Sequence, residues 1–409
     1  MLHVCMITAG EYDWHPRVRR QAEALAARGD CVTAVVLQAD GRPAREVVDG
    51  VKVVRLPVRK YRGESARAYL RLYGGFGVLA AAWLGRRVRV FDVVQVNTMP
   101  EVLVFAAALP RLAGVPVVLD IHDRTVELFA SKFGPGSWMG RVIGWGERAS
   151  LRFAGEVLTV HEPYADTLRG LTDRPVSVVM NCPDERLFKP RGWLDWDLGG
   201  EVVFGYHGLI ASRHGLVQAV EALAALRSVV PGACLRVWGS GDGLASLRGR
   251  VEELGLGGSV DLPERPVPIT QLAAGLAGVH IGLVPSVRDP WTERVLPTKL
   301  LEYALLGIPV ISFRNPIIEQ YFPQDAVTYV DPLSPQSLRA AMLALATDRD
   351  RAREQAARAQ EVMQRLNWRQ QKEIYLEVID RVAALGAGQR RKPRVEARRA
   401  CSEMCSDVR

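Results

Sequence analysis

The sequence has no apolar run of the length a bilayer span needs and no basic-then-apolar leader; Met1-Leu2-His3-Val4 enters an apolar strand directly. The expectation is a cytoplasmic protein. Cysteine is scarce, six in 409 residues, and none stands at metal-ligand spacing in company with histidine. Cys5, Cys31 and Cys234 lie in apolar runs, where a reduced thiol behaves as a small hydrophobe, and Cys401 and Cys405 in a polar tail. No P-loop, Ser-His-Asp arrangement or clustered set of metal ligands is spelled out. Asp195-Trp196-Asp197 has the spelling of a metal-binding Asp-x-Asp pair, but two carboxylates on one divalent cation belong at a strand end, and this pair sits in a Trp-rich linker. No metal is expected. The formal charge of +8 comes without an aromatic-studded basic strand, so nucleic acid is not expected either.

What is present is enough chain for two domains, 48% of it apolar. The charge is uneven. Residues 1–190 carry 26 Lys and Arg against 20 Asp and Glu, residues 191–386 carry 20 against 22, and the tail from 387 carries 7 against 3. The excess therefore belongs to the first half and to the tail. That first half opens with an apolar strand at His3 to Ile7, a polar loop through Gly10, an amphipathic helix from Pro16 and a second strand from Cys31. Strand, loop, helix, strand is the opening unit of a doubly wound parallel sheet, whose ligands bind at the carboxyl ends of the strands. Gly10 therefore faces the crevice, although a lone glycine fails as a G-x-G-x-x-G fingerprint. Further buried strands follow at 91–97, 116–121, 157–161 and 176–181. His122 ends one of them, where an imidazole points into the crevice and is able to bond a sugar hydroxyl or a phosphate.

The rest of the chain is organised round Leu296-Pro297-Thr298-Lys299-Leu300-Leu301-Glu302-Tyr303, followed by Leu306-Gly307-Ile308-Pro309-Val310-Ile311. Pro297 suits the first helical position, and Gly307 with Pro309 stops the helix before a buried strand. A lysine in the first turn opposes the helix dipole, a conflict that an anion at that end resolves. Glu302 lies one turn on, on the same face, as an acceptor for hydroxyls. The combination suits a nucleotide diphosphate with its ribose. Upstream, Gly208-Leu209-Ile210-Ala211-Ser212-Arg213-His214-Gly215 joins a strand to a helix, and its glycines let the backbone approach a phosphate while Arg213 supplies a cation.

Residues 59–89 hold eight arginines and lysines, namely Arg59, Lys60, Arg62, Arg67, Arg71, Arg86, Arg87 and Arg89, against the single acid Glu64. Between them runs the apolar segment Gly74 to Leu84, too short to span a membrane. Basic flanks round such a segment fit an anionic membrane surface as well as they fit an ordinary helix with a solvated arginine face.

Pro-Thr-Lys-Leu-Leu-Glu-Tyr with Leu-Gly-Ile-Pro-Val-Ile resembles the donor-site helix of the GT-B glycosyltransferases of family 4, glycosyltransferase group 1. The Gly208 loop resembles that family's Gly-x-x-x-x-x-Lys-Gly, with His214 in the Lys position and Arg213 before it as the candidate cation. Asp120-Ile121-His122-Asp123 looks like the family's His motif, which places His122 beside the donor sugar. The family's Glu-x7-Glu is matched at Glu302, expected on the ribose, whereas its first position holds Arg294 with Glu293 beside it. Either Glu293 takes that role or the chain belongs to a branch with Pro-x-Lys-x-x-Glu-Tyr and no first Glu, which the seven-residue match favours.

The resemblance implies two doubly wound α/β domains facing across a cleft: residues 1–190 on the acceptor side, completed by a C-terminal helix over 367–385, and residues 191–366 holding the donor. A basic, disordered tail at 386–409 is expected after them. It implies a retaining, metal-independent transfer of a sugar from a UDP- or GDP-linked donor to an acceptor hydroxyl on a glycan, glycolipid or small molecule, with no other cofactor. His122, Arg213 and Lys299 would be catalytic; Gly10, Gly208, His214, Glu293, Thr298, Leu300 and Glu302 would line the donor site, with the backbone near Val267 facing the base. An anionic membrane surface met through residues 59–89 would place the protein on the inner face of the plasma membrane. A sugar-nucleotide epimerase or hydrolase of the same fold, or a non-catalytic nucleotide-binding homologue, stands as the alternative.

Overall fold

Long runs of β-branched and aliphatic residues, apolar on both faces, need helices on both sides of a sheet, and the chain supplies them in alternation. The computed structural model describes residues 1–61, 63, 65–134, 136–263, 267–332 and 334–389. They form two units, one of Met1–Met180 with the chain from Gln371, the other of Asn181–Gln370.

The first unit holds β1 (His3–Thr8), β2 (Cys31–Gln38), β3 (Arg45–Val48), β4 (Val51–Arg59), β5 (Val93–Asn97), β6 (Val117–Ile121), β7 (Glu156–Thr159) and β8 (Val176–Val178), in the sheet order β3-β4-β2-β1-β5-β6-β7-β8. All neighbours are parallel except β3 and β4, a hairpin turned by Asp49 and Gly50, both at positive φ. β1 lies between β2 and β5, with Ile7 opposite Val35 on one side and Val96 on the other. Chain order reverses between β1 and β5, so the loops after them, at Gly10 and Thr98, flank the switch point of this sheet.

The second unit holds β9 (Val202–Leu209), β10 (Ala233–Ser240), β11 (Val260–Asp261), β12 (Ile281–Val284), β13 (Val310–Phe313) and β14 (Thr328–Val330), all parallel, in the order β11-β10-β9-β12-β13-β14. Its switch point falls between β9 and β12, where Gly208 ends one strand and the loop from Pro285 follows the other. His280 ties these strands: its Nδ1 accepts from the Val203 amide at 2.9 Å while its own amide donates to the Val203 carbonyl.

The structure parts the chain ten residues before the boundary expected at 190. Residues 182–200 read as a linker because of their Pro, Gly and Trp content, yet Phe188 and Trp196 are buried in the second unit's core, and the Trp196 Nε1 donates to the Ala346 carbonyl at 2.9 Å. These two side chains pin the stretch to the core, while Asp197 to Gly200 stay exposed. Asp195 is spent on its neighbour's backbone, its Oδ1 accepting the Trp196 amide. The last helix, Trp368–Gln389, carries on past Leu385, so residues 386–389, expected in a disordered tail, are helical. Tyr375 anchors that helix to the first sheet by donating to Gln95 Oε1 at 2.8 Å, and Arg381 bonds Glu156. The rest of the expected tail, 390–409, lies outside the described residues, as do Arg62, Glu64 and Glu264 to Pro266.

Candidate functional site

In the second unit the helix Thr298–Leu306 is seated by Tyr303. Its ring packs on Gly282 of β12, where a Cβ would stand 2.6 Å from the ring, and its hydroxyl donates to the Gly205 carbonyl of β9 at 2.8 Å. A glycine on one strand makes room for the ring, and a carbonyl of the other accepts the hydroxyl. One turn back toward the helix start, the Lys299 side chain is thereby brought to Gly208. A Cβ on Gly208, at φ +114°, would lie 3.7 Å from the Lys299 Nζ. That distance is ordinary contact, and it is the positive φ that favours glycine there. Nζ donates to the Tyr206 hydroxyl at 3.1 Å and lies 4.4 Å from the Tyr206 ring centroid.

The charges about this point are unequal. Burial, opposed by Glu302 and assisted by Arg213, pushes the Lys299 ammonium down to about 8. His214 is pushed down to about 2 by burial and by the charges of Lys299 and Arg213. His207 goes to about 3 through burial and Lys299. Both imidazoles are neutral near pH 7. The His207 Nε2 stands 3.2 Å from Glu302 Oε2, out of line for a hydrogen bond. Arg213 rests its guanidinium 5.2 Å from the Trp291 ring centroid, and the same indole meets His214 edge-on at 5.9 Å. The Arg213 Nε and His214 Nδ1 are buried without a hydrogen-bond partner among the described residues. Two cations, one carboxylate and two neutral imidazoles leave net positive charge with unmet donors at a helix start, an arrangement that favours a polyanion.

The loop after β12 is held by its own side chains and by Asn315, which follows β13. Asp289 Oδ1 accepts the Trp291 amide at 2.9 Å, the Thr292 hydroxyl donates to the Val287 carbonyl, and Asn315 Nδ2 donates to the carbonyls of Thr292 and Val295. The Val287 amide donates to the Arg213 carbonyl, so this loop and the Gly208 loop are tied together. Gly215, at φ +68°, passes so close to the Pro285 carbonyl that a Cβ would lie 1.8 Å from its oxygen. The glycines at the end of β10 and just after it have the same kind of reason: a Cβ on Gly239 would sit 1.8 Å from the Gly208 oxygen and one on Gly241 2.0 Å from the Ile210 oxygen.

Gly208, Arg213, His214, Lys299 and Glu302 thus come together. Thr298 stands half-buried at the helix start, where its amide precedes any intrahelical acceptor. Leu300 differs from the expectation: its side chain is in the core and its amide already donates to the Pro297 carbonyl at 3.1 Å. Pro297 is the residue before the helix and not its first. Glu293 is half-exposed and its carboxylate is paired with Arg288 at 2.8 Å, away from the Lys299 ammonium. Val267 is half-buried just before the helix Ile269–Gly275, with no hydrogen bond to the cluster among the described residues. An open cavity of about 540 Å³ lined by Glu185, Leu305, Gln360 and Asn367 among others lies toward the other end of the Thr298–Leu306 helix. It shares no residue with the cluster.

In the first unit Gly10 and His122 meet through His15, a residue the sequence did not mark. A Cβ on Gly10 would stand 2.9 Å from the His15 ring, and the rings of His15 and His122 meet edge-on at 5.1 Å. Surrounding protein and His122 push His15, a half-buried residue, down to about 3, and His122 is lowered mainly by burial. The Thr98 hydroxyl accepts the His122 amide at 3.3 Å. Beneath them Arg17 grips Asp120 with two bonds of 2.8 Å, and Gln21 adds a third donor. Burial raises the Asp120 carboxyl, but Arg17 and these donors outweigh it and hold it below the usual carboxylate range.

Two doubly wound parallel sheets, the second with a cationic helix start at its switch point, are the fold of the GT-B class. Residues 15–184 match the glycosyl transferase 4-like domain and residues 201–348 the glycosyl transferases group 1, and the chain belongs to the group 1 glycosyltransferases of family 4. It is 27% identical over 297 residues to a 2-deoxystreptamine glucosyltransferase of Streptomyces kanamyceticus, which spans 64% of this chain and 70% of that protein. Among solved structures, a sucrose-phosphate synthase of Thermosynechococcus elongatus superposes with TM-score 0.74 at 19% identity, over 95% of this chain and all of that one. Anabaena HepE in complex with UDP and glucose gives 0.67 at 16% identity, over 93% of this chain and all of that one. No helix among the described residues is long and apolar enough to cross a membrane.

Proposed function

We propose that this chain is a retaining, metal-independent hexosyltransferase that moves a sugar from a UDP- or GDP-linked donor to an acceptor hydroxyl in glycan, polysaccharide or glycolipid biosynthesis. The observation that carries the reading is the convergence of Lys299, Arg213 and the open Gly208 at one helix start, with Glu302 one turn on. The chemical barrier is departure of a nucleoside diphosphate from an oxocarbenium-like sugar. As the bond from the anomeric carbon to the phosphate oxygen breaks, its electron pair stays on that oxygen, and fixed cations and helix amides stabilise the growing charge. Lys299 and Arg213 carry that role, Thr298 adds an amide, and Glu302 receives ribose hydroxyls. His122 meets the sugar as a neutral imidazole. The complex of HepE with UDP and glucose and the glucosyltransferase name of the Streptomyces relative support a UDP-linked hexose.

The test has two stages. A thermal-shift screen of nucleotides and nucleotide sugars identifies the base and sugar, with stabilisation by UDP or GDP expected. Release of the matching diphosphate is then followed with and without candidate acceptors. Release that requires acceptor fits transfer, whereas release without acceptor points to a hydrolase, and binding without release to a non-catalytic homologue.

A further inference from the structure

Outside both sites, the first unit presents a broad apolar face on three helices whose exposed charged side chains, among the described residues, are all arginines. In the helix Ala66–Gly85, Leu72, Phe76, Ala80 and Leu84 recur every four residues and are buried in the core, which takes one side of the apolar run read from the sequence. The other side is exposed and carries Leu70 and Val78 between Arg67, Arg71 and Arg86. The next helical stretch, Glu101–Ala107 continuing through Ala108–Leu112, exposes Val102, Phe105, Leu109 and Leu112 at helical spacing, Leu112 to 84%. The helix Trp138–Phe153 exposes Trp138, Val142 and Trp145 on a single stripe, the two indoles to 66% and 72%. These surfaces are continuous, since a Cβ on Gly85 would touch Leu109 at 2.9 Å and one on Gly146 would touch Val102 at 2.9 Å.

Large apolar residues clustered in this way mark a docking surface, and charge decides for what. Arg141, Arg148 and Arg152 share the exposed side of the Trp138–Phe153 helix. By contrast, no described acid between 65 and 152 is exposed: Glu101, Asp120, Glu127 and Glu147 are buried, and Asp92 and Asp123 half-buried. Glu127 and Glu147 are both paired with Arg124. A second copy of the chain docking by the same three helices would set arginine against arginine with no exposed acid on those helices to meet it. An anionic bilayer supplies the missing charge, and tryptophan with flanking arginine is the composition that settles at a headgroup boundary.

We propose that this face, built from the helices Ala66–Gly85, Ala108–Leu112 and Trp138–Phe153, docks on the surface of an anionic lipid bilayer. The basic stretch expected at 59–89 is one edge of that surface, and the tryptophan stripe, some fifty residues further on, is its centre. The inference bears on where the proposed transferase works and does not rest on its chemistry.

The full-length protein is floated with phosphatidylglycerol–phosphatidylcholine vesicles and with phosphatidylcholine vesicles, with no nucleotide sugar present, so that the outcome is independent of any failure of the transferase reading. Binding to the anionic vesicles in low salt and its release in high salt are expected. Arg141→Glu with Arg148→Glu should weaken binding by roughly 25-fold or more, from about fivefold for each basic residue lost. Trp138→Ser with Trp145→Ser should weaken it by roughly tenfold. Both variants replace exposed side chains and should keep the wild-type melting temperature. Background binding to anionic vesicles in low salt overturns the proposal. So does binding that both variants leave intact, which would assign it to the basic run from Arg390, and so does self-association that the tryptophan variant abolishes.

Discussion

Lys299 works against the stability of the unit it serves. Its pKa of about 8, against 10.5 for an ordinary lysine, means that the folded protein binds this proton less tightly than the unfolded chain does. The contribution is present above pH 10.5 and is lost as pH falls through 8, so near pH 7 the buried ammonium costs roughly 3 kcal/mol. Lys299→Met should therefore raise the melting temperature at pH 7 while lowering turnover by roughly 10²–10³-fold, the loss seen when a fixed oxyanion donor is removed. Thermal melts and steady-state kinetics on the same preparation check both signs. A bound diphosphate favours the charged form, so its binding above pH 8 should take up a proton. Affinity for UDP or GDP should then fall from pH 7 to 9, which calorimetry in buffers of different ionisation enthalpy reads directly. Tyr206→Phe removes the hydroxyl that accepts from Nζ and donates to the Leu209 carbonyl but keeps the ring beneath the ammonium. It should weaken nucleotide binding by roughly fivefold, the worth of about 1 kcal/mol for one hydrogen bond.

At the scale of elements, the seat of the Thr298–Leu306 helix is the contact between Tyr303 and Gly282. Gly282→Ala would force a methyl to 2.6 Å from the ring, and overpacking of this kind costs about 1–3 kcal/mol. Because the same ring fixes the turn that carries Lys299, nucleotide affinity should fall together with the melting temperature. Gly282→Ala with Tyr303→Leu should recover part of the stability, and a double-mutant cycle measures that coupling. Much of this element was legible in the sequence, because Pro297, Gly307 and the position of Lys299 are local signals that need no partner. Tyr206, His207 and Trp291 were not, since their roles rest on contacts with residues tens of positions away. The parallel strands were legible as continuous apolar runs. The β3–β4 hairpin was missed although Asp49-Gly50 between valine-rich runs is a sequence signal for it, whereas the burial of Trp196 has no local signal.

At the scale of the whole molecule, two separate cores predict two unfolding transitions with different linkages. In the first unit Glu101 is buried, and its carboxyl, which accepts the Thr125 amide at 2.8 Å, is pushed up to about 7 chiefly by burial. A raised carboxyl contributes stability below about pH 4.5 that is lost as pH rises through 7. The depressed imidazoles of His15 and His122 act in the opposite sense on the acid side, so the wild type alone would blur the effect. Glu101→Gln keeps an acceptor for Thr125 and does not titrate. The difference between wild type and variant should therefore grow from pH 4.5 to 7, reaching roughly 3 kcal/mol in favour of the variant above neutrality. That difference should appear only in the transition of the first unit. UDP or GDP at a hundred times its dissociation constant should raise the other transition by about 2.7 kcal/mol of added stability, with or without Glu101. Scanning calorimetry resolves the two. If the substitution at Glu101 and the nucleotide move one and the same transition, the units unfold as a single body, and the assignment of the nucleotide to the second unit must be tested by binding to Lys299 variants instead.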